Sequence, residues 1–348
     1  MKLSDYTLSL LDDIERRIDP ETEEDYYAQW LSFWRGECDE LVFTPRRREV
    51  SAPSVELRNI HINDALEDLE LMLVSELVSL SKRLSSTTAP LGIRANYGTG
   101  IIPTLFGAQV FVMPRETATL PGVRALSEDR VRELVQSGVP ELDGGFGGSV
   151  LAFGEMCAEI FKKYPKIQKY VNVYHPDTQG PLDITELLMG SEMFYQMYDE
   201  PELVHGVLRT VTDTYKAFLD RWFSIFPNER ELSMHWNHLQ KGNIMIRLDS
   251  AMNISVDFYE EFSRPYDREL LDHFGGGCMH FCGRGDHFIA SMCQNEDMYG
   301  FNMSQPYLND MDKIFTAAGE AGKRILVLPK GNDYATEGRV KRGLVHGR

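Results

Sequence analysis

The stretch GCMHFCGRGDHFIASMCQNEDMYGFNMSQ, Gly277 to Gln305, holds two short apolar runs, GCMHFCG and YGFNMSQ, on either side of a helical segment. Strand, helix, strand is the pattern of a crossover unit that joins parallel neighbours. The same texture extends along the chain. Apolar runs recur at PLGIRAN, AQVFVMP, YVNVYHP, ELSMHW, IMIRLDS, RILVLP and RGLVHGR, with helical stretches such as PELVHGVLRTVTDTYKAFLDRWFSIF between most of them. About eight such units in 348 residues predict an α/β fold, a (β/α)8 TIM barrel. An open doubly wound sheet is the rival architecture. Its Gly-rich fingerprint is missing, because DGGFGGSV (143–150) lacks the G-x-G-x-x-G order and follows no strand; it reads as a loop.

Residues 1–85 have a different character. DYTLSLLDDIERRI and EDYYAQWLSFWRGE place apolar residues at three- and four-residue intervals, and INDALEDLELMLVSELVSLSKRL is an amphipathic helix with Asn63 or Asp64 near its cap. PRRREVSAP, from Pro45, breaks the pattern and reads as a loop carrying surface arginines. The expected organisation is therefore an N-terminal helical segment, 1–85, packed on a barrel of residues 86–348, where it forms a barrel-closing cap or a dimer surface.

Composition narrows the function classes. The formal net charge of −17 repels phosphate backbones and acidic lipid, so nucleic acid and membrane surfaces are not expected partners. No apolar run approaches the ~18 residues of a membrane span. The first residues, MKLSDYTLSLLDDIERRID, carry acids where a signal peptide needs an apolar core, which predicts a cytoplasmic protein. Five cysteines then point to reduced thiols.

Polar residues close many of the expected strands: Asn96 and Tyr97, His175 and Gln179, His235, Asp249, Cys282, Asn302 and Gln305. In a barrel, the carboxyl ends of the strands converge on the active-site face. Within CMHFCG, Cys278, His280 and Cys282 alternate and share one face of the strand. Cys278 lies about 7 Å deeper than His280 and belongs to the core. His280 and Cys282 face the mouth, and imidazole and thiolate are both zinc ligands. Cys293, on the following helix, points away, and Asp286 caps that helix. Asp249 is placed to orient a metal-bound imidazole or to act as a general acid or base.

These residues carry a family likeness. QGPLDITELLMGSEMFYQMYDEPELVHGVLRTVTDTYKAFL (179–219), DSAMNISVDFYEEFSRPYDREL (249–270), and MHFCGRGDHFIASM followed by MYGFNMSQP resemble segments of the uroporphyrinogen decarboxylase superfamily in order and spacing. ANYGTGIIPTLFGAQV resembles its methyltransferase-like branches. The likeness runs from about Asn96 to Leu326 and implies a (β/α)8 barrel.

It implies one of two chemistries. In the methyltransferase branch, zinc held by H-x-C and a late cysteine activates a thiol for methyl transfer from a corrinoid, free or borne on a partner protein. His280 and Cys282 match the first two ligands. No cysteine follows Cys293, which leaves Asp333 or His346 as the substitute. The decarboxylase branch acts on a tetrapyrrole without cofactor, through an R-Q-A-G-R motif, an aspartate and a C-terminal histidine. The motif is missing here, Gly98 stands where the aspartate belongs, and His346 in LVHGR loosely matches the histidine. The expectation is a corrinoid-linked methyltransferase. Its catalytic groups are Asp249, His235 and His346, and its substrate contacts Asn96, Tyr97, His175, Gln179, Asn302 and Gln305. The alternatives are a decarboxylase-like enzyme acting on a tetrapyrrole or small carboxylate, and a non-catalytic corrinoid- or tetrapyrrole-binding barrel.

Overall fold

The computed structural model describes residues 2–329 and 334–347. Its frame is a six-stranded sheet in which every neighbouring pair is parallel. From edge to edge the strands are Val42–Phe43, Val345–Gly347, Arg324–Leu328, Met298–Met303, Gly277–Phe281 and Ile244–Arg247. Helices Val256–Phe262 and Arg264–His273, then Ile289–Cys293, then Met311–Ala321 make the crossovers between consecutive strands. This is an α/β architecture, and the Gly277–Gln305 segment is one of its crossover units. No helix among the described residues is long and apolar enough to cross a membrane.

Every apolar run singled out in the sequence contains a strand, but two pair otherwise than expected. Val110–Phe111 pairs antiparallel with Gly122–Val123 in an exposed hairpin outside the sheet. The partner follows after too few residues for a parallel crossover, so only a hairpin can form. Leu232–His235 likewise folds back on His238–Lys241, through a two-residue turn at Trp236 and Asn237 in which Trp236 has φ +47°.

Both faces of the sheet are buried. Met279 and Phe281 join the large core beneath the helices, whereas Cys278 joins a smaller cluster on the other face with Met245, Leu326, Phe43 and Met234. The second helix, Pro20–Arg35, supplies Trp30, Phe33 and Trp34 to that smaller cluster. Alternation along one strand thus feeds two cores.

The N-terminal 85 residues are not wholly helical. Val42–Phe43 enters the sheet beside Val345–Gly347, a two-residue strand too short to show periodicity. Arg47 is buried at 3% exposure and pairs with Glu23 at 2.5 Å, so the middle arginine of RRR is interior. The long amphipathic segment splits into Ile62–Glu67 and Leu69–Arg83. The cap of the second piece is Asp68, whose side chain accepts the Glu70 and Leu71 N–H groups. The glycines of DGGFGGSV open a helix, Gly145–Phe161, rather than forming a loop; a Cβ on Gly147 would meet Leu105 at 2.4 Å, so close packing explains that glycine. Asp286 does not cap Ile289–Cys293 but pairs with Arg284 at 2.7 Å.

One buried acid gives the fold a pH dependence. Asp267 is wholly buried; Ser263 donates to its Oδ2 at 2.8 Å, and its Oδ1 has no hydrogen-bond partner. Burial pushes its carboxyl up to about 8, from 3.8. The folded state therefore holds this proton more tightly than the unfolded chain. Stability from this group is complete below pH 3.8 and declines as pH rises toward 8. Asp267→Asn removes the titration. Urea unfolding should show the wild type losing stability relative to the variant by about 1.4 kcal/mol per pH unit across that window; a pH-independent difference would refute the assignment.

Candidate metal centre

Three elements meet at the carboxyl ends of neighbouring strands. Asp249 follows the Ile244–Arg247 strand by two residues, and Cys282 follows Gly277–Phe281 directly. Asn302 lies on Met298–Met303 in register with His280. Asp249, His280 and Cys282 offer a carboxylate oxygen, an imidazole nitrogen and a sulfur, all within 4.8 Å of one another. His280 Nε2 is 3.4 Å from Cys282 Sγ and 3.5 Å from an Asp249 oxygen.

The surroundings orient each donor. Asn302 Oδ1 accepts a hydrogen bond from His280 Nδ1 at 2.7 Å, which places the Nε2 lone pair toward the sulfur and the carboxylate. Asp249 accepts the Cys282 N–H at 2.9 Å. Its own backbone is held from behind: Asp183 accepts the N–H groups of Asp249 and Ser250 at 3.0 and 2.8 Å. Gly283, at φ +71°, turns the chain out of the strand, and its N–H is accepted by Gln305 at 2.6 Å. A Cβ there would meet the Met252 sulfur at 2.4 Å.

Electrostatics suit a cation. Burial lowers the His280 pKa and so favours neutral imidazole, the ligating form. Burial pushes the Cys282 thiol up to about 11. An imidazole lone pair, a sulfur and a carboxylate oxygen this close together are favoured when a proton or a metal ion lies among them. The three-donor set matches a zinc site that keeps a fourth position open.

Beside the centre lies a pocket of about 530 Å³, into which His280, Asn302 and Ser304 project. Cys282 Sγ is 3.4 Å from Ser304 Oγ, so the pocket and the donor cluster share a wall. Trp236 also lines it, with the Arg247 guanidinium 4.0 Å from its ring centre and the His280 ring edge-on at 4.8 Å. Arg247 in turn is paired with buried Asp177 at 2.5 Å. Val327, at φ +60°, also lines the pocket, in the stretch where the register between Arg324–Leu328 and Val345–Gly347 shifts. A β-branched residue in that conformation is strained, and strain of this kind concentrates at functional sites.

The residues singled out in the sequence fall into two groups. Asp249, His280, Cys282, Asn302 and Gln305 come together, and Asn96 lines the pocket. The others are held elsewhere. Tyr97 is buried against Phe146, with its hydroxyl pushed up to about 12 by burial. His175 donates from Nδ1 to the Pro176 carbonyl and accepts the Met245 N–H at Nε2, so both ring nitrogens serve the backbone. Burial drops its pKa to about 4. His235 is fully buried; its Nε2 accepts from Arg247 at 3.2 Å. Gln179, at φ +61°, donates to Asp177 at 2.7 Å. The His346 ring packs on Trp30 at 4.5 Å and accepts the Val327 N–H at 3.1 Å. Asp333 lies outside the described residues.

Three charged residues of the pocket escaped the sequence reading: Glu76, Arg83 and Arg94. Glu76 and Arg83 sit seven apart on the Leu69–Arg83 helix, on one face, and Arg94 lies two before Asn96. Those spacings were visible, but nothing in them distinguished a pocket wall from a solvated helix face. Among known proteins, no family model matches the chain, and no curated protein matches it.

Proposed function

We propose that this chain is a zinc-dependent methyltransferase, built as a (β/α)8 barrel, that passes a methyl group between a corrinoid and a small thiol. The convergence of Asp249, His280 and Cys282 carries the reading. Asp249 takes the place of the late cysteine that the family resemblance calls for. Zinc bound there would lower the pKa of the incoming thiol and hold it as the thiolate. Asn302 keeps His280 in the ligating tautomer, and Asp183 fixes the loop that presents Asp249. With a methylcorrinoid as donor, the sulfur–carbon bond would form as the carbon–cobalt bond broke, its electron pair staying on cobalt.

Two further observations support a closed barrel. Gly92–Ile93 and Asn172–Val173 form another parallel pair, and Leu232 bridges Gly242 in parallel beside the edge strand Ile244–Arg247. Tyr174 and Met234, from those outlying runs, share the small inner cluster with Cys278. A corrinoid carried on a partner protein fits the rim, where Met252, Tyr307 and Leu308 expose apolar surface next to Gly283 and Gln305.

The test is turnover. Zinc-loaded protein mixed with methylcobalamin and a thiol should form the thioether, followed by mass spectrometry, with loss of the methylcobalamin absorbance. Protein that carries zinc but methylates no thiol, from free or protein-bound methylcorrinoid, would overturn the reading.

A further inference from the structure

The pocket beside the donor cluster has an unusual charge pattern. Arg83 and Arg94 line it together with Glu76 and Asn96. Arg83 donates only to carbonyl oxygens, of Pro90 and Trp236 at 3.2 and 3.1 Å, and pairs with no carboxylate within 4.0 Å among the described residues. Arg94 Nη1 is 3.5 Å from Asp177 but makes no hydrogen bond, and Asp177 is already matched by Arg247 at 2.5 Å. Asn96 Oδ1 is buried without a partner. Glu76 accepts one bond, from the Arg94 backbone N–H at 3.1 Å. Buried polar atoms are ordinarily satisfied, so Arg94 Nη1 and Asn96 Oδ1, both buried without a partner beside half-buried Glu76 and Arg83, mark a ligand surface.

We infer that this pocket binds the head group of an α-amino acid, with Arg83 and Arg94 reading the carboxylate and Glu76 and Asn96 the ammonium. A purely anionic ligand, whether a sulfonate or a simple carboxylate, would meet two arginines but also the Glu76 carboxylate, which repels it. A zwitterion uses all four side chains. Burial pushes the Glu76 carboxyl up, and an ammonium beside it offsets that cost. Because His280 and Ser304 line the same pocket, the amino acid's side chain would extend toward the donor cluster. The methyl acceptor is then an α-amino acid bearing a thiol side chain. That last step rests on the thiol-transfer reading; the head-group contacts do not.

Calorimetry with thiol-free probes separates the two. Wild-type protein should bind L-2-aminobutyrate, and bind butyrate and ethanesulfonate at least tenfold more weakly. Glu76→Gln should abolish that preference for the ammonium-bearing probe, while Arg94→Gln should weaken both carboxylates. Zinc content is measured on the same samples. Glu76-dependent binding of L-2-aminobutyrate to protein that takes up no zinc would uphold the head-group site and sink the methyltransferase reading. Butyrate or ethanesulfonate binding as tightly as L-2-aminobutyrate, or no binding of L-2-aminobutyrate to zinc-loaded wild type, would overturn the inference.

Discussion

Protein purified without chelator will carry about one zinc per chain, and Cys282→Ala will lose it. Apparent free energies for zinc held by protein side chains are about 10–16 kcal/mol. Removing one of three donors should weaken binding by about two to four orders of magnitude, enough to empty the site during purification. His280→Ala should behave alike. Asn302→Leu removes no donor but frees the imidazole to rotate or change tautomer, and a loss of about 10–100-fold is expected. Since burial holds the Cys282 thiol near about 11, the metal must displace its proton at neutral pH. Apparent affinity should therefore rise with pH, up to about tenfold per unit while that proton alone is released. Elemental analysis and competition with a chromophoric chelator read each of these. Stoichiometric zinc retained by Cys282→Ala would remove Cys282 as a ligand; no zinc uptake by the wild type would remove thiol activation altogether.

Asp177→Ala should be the most damaging single substitution near the pocket, at about 3–5 kcal/mol of stability. The Asp177 and Arg247 side chains are 11% and 6% exposed, and their atoms approach to 2.5 Å. Truncating the acid strands a buried guanidinium, and the Arg94 guanidinium loses its only carboxylate contact within 4.0 Å among the described residues. Arg247 is also the group stacked on Trp236, which in turn abuts His280, so disorder here should spread to the donor cluster. The double variant Asp177→Leu with Arg247→Met removes both charges and should recover most of the lost stability, because a buried ion pair adds little over an apolar pair of similar volume. Urea unfolding of the two variants measures the difference. A single variant within about 1 kcal/mol of wild type would show that water reaches this pair.

Much of the chemistry was legible in eleven residues. In CMHFCGRGDHF, depth along one strand face separates Cys278 from the pair His280 and Cys282, and Cys278 indeed lies in the smaller core cluster. Asp249 was legible as a strand-end carboxylate, yet its place as the third donor was not, since it depends on the register between two strands that are 33 residues apart at the contact. His175 and His235 illustrate the converse. As strand-end histidines they looked equivalent to His280, but both His175 nitrogens serve the backbone and His235 Nε2 accepts from Arg247, and burial lowers the pKa of both. Local sequence does not record which way a strand end faces once its neighbours close over it.

The amino-acid pattern alone carries most of the alternation of strands and helices and the shared strand face of His280 and Cys282, because each depends on spacing within one element. Tertiary structure adds what spacing cannot carry. The register that brings Asp249 to Cys282, the antiparallel return after Trp236, the short Val42–Phe43 strand, and the meeting of Glu76, Arg83 and Arg94 around one pocket all join segments distant in the chain. Such contacts arise from packing many side chains at once, and no single segment encodes them.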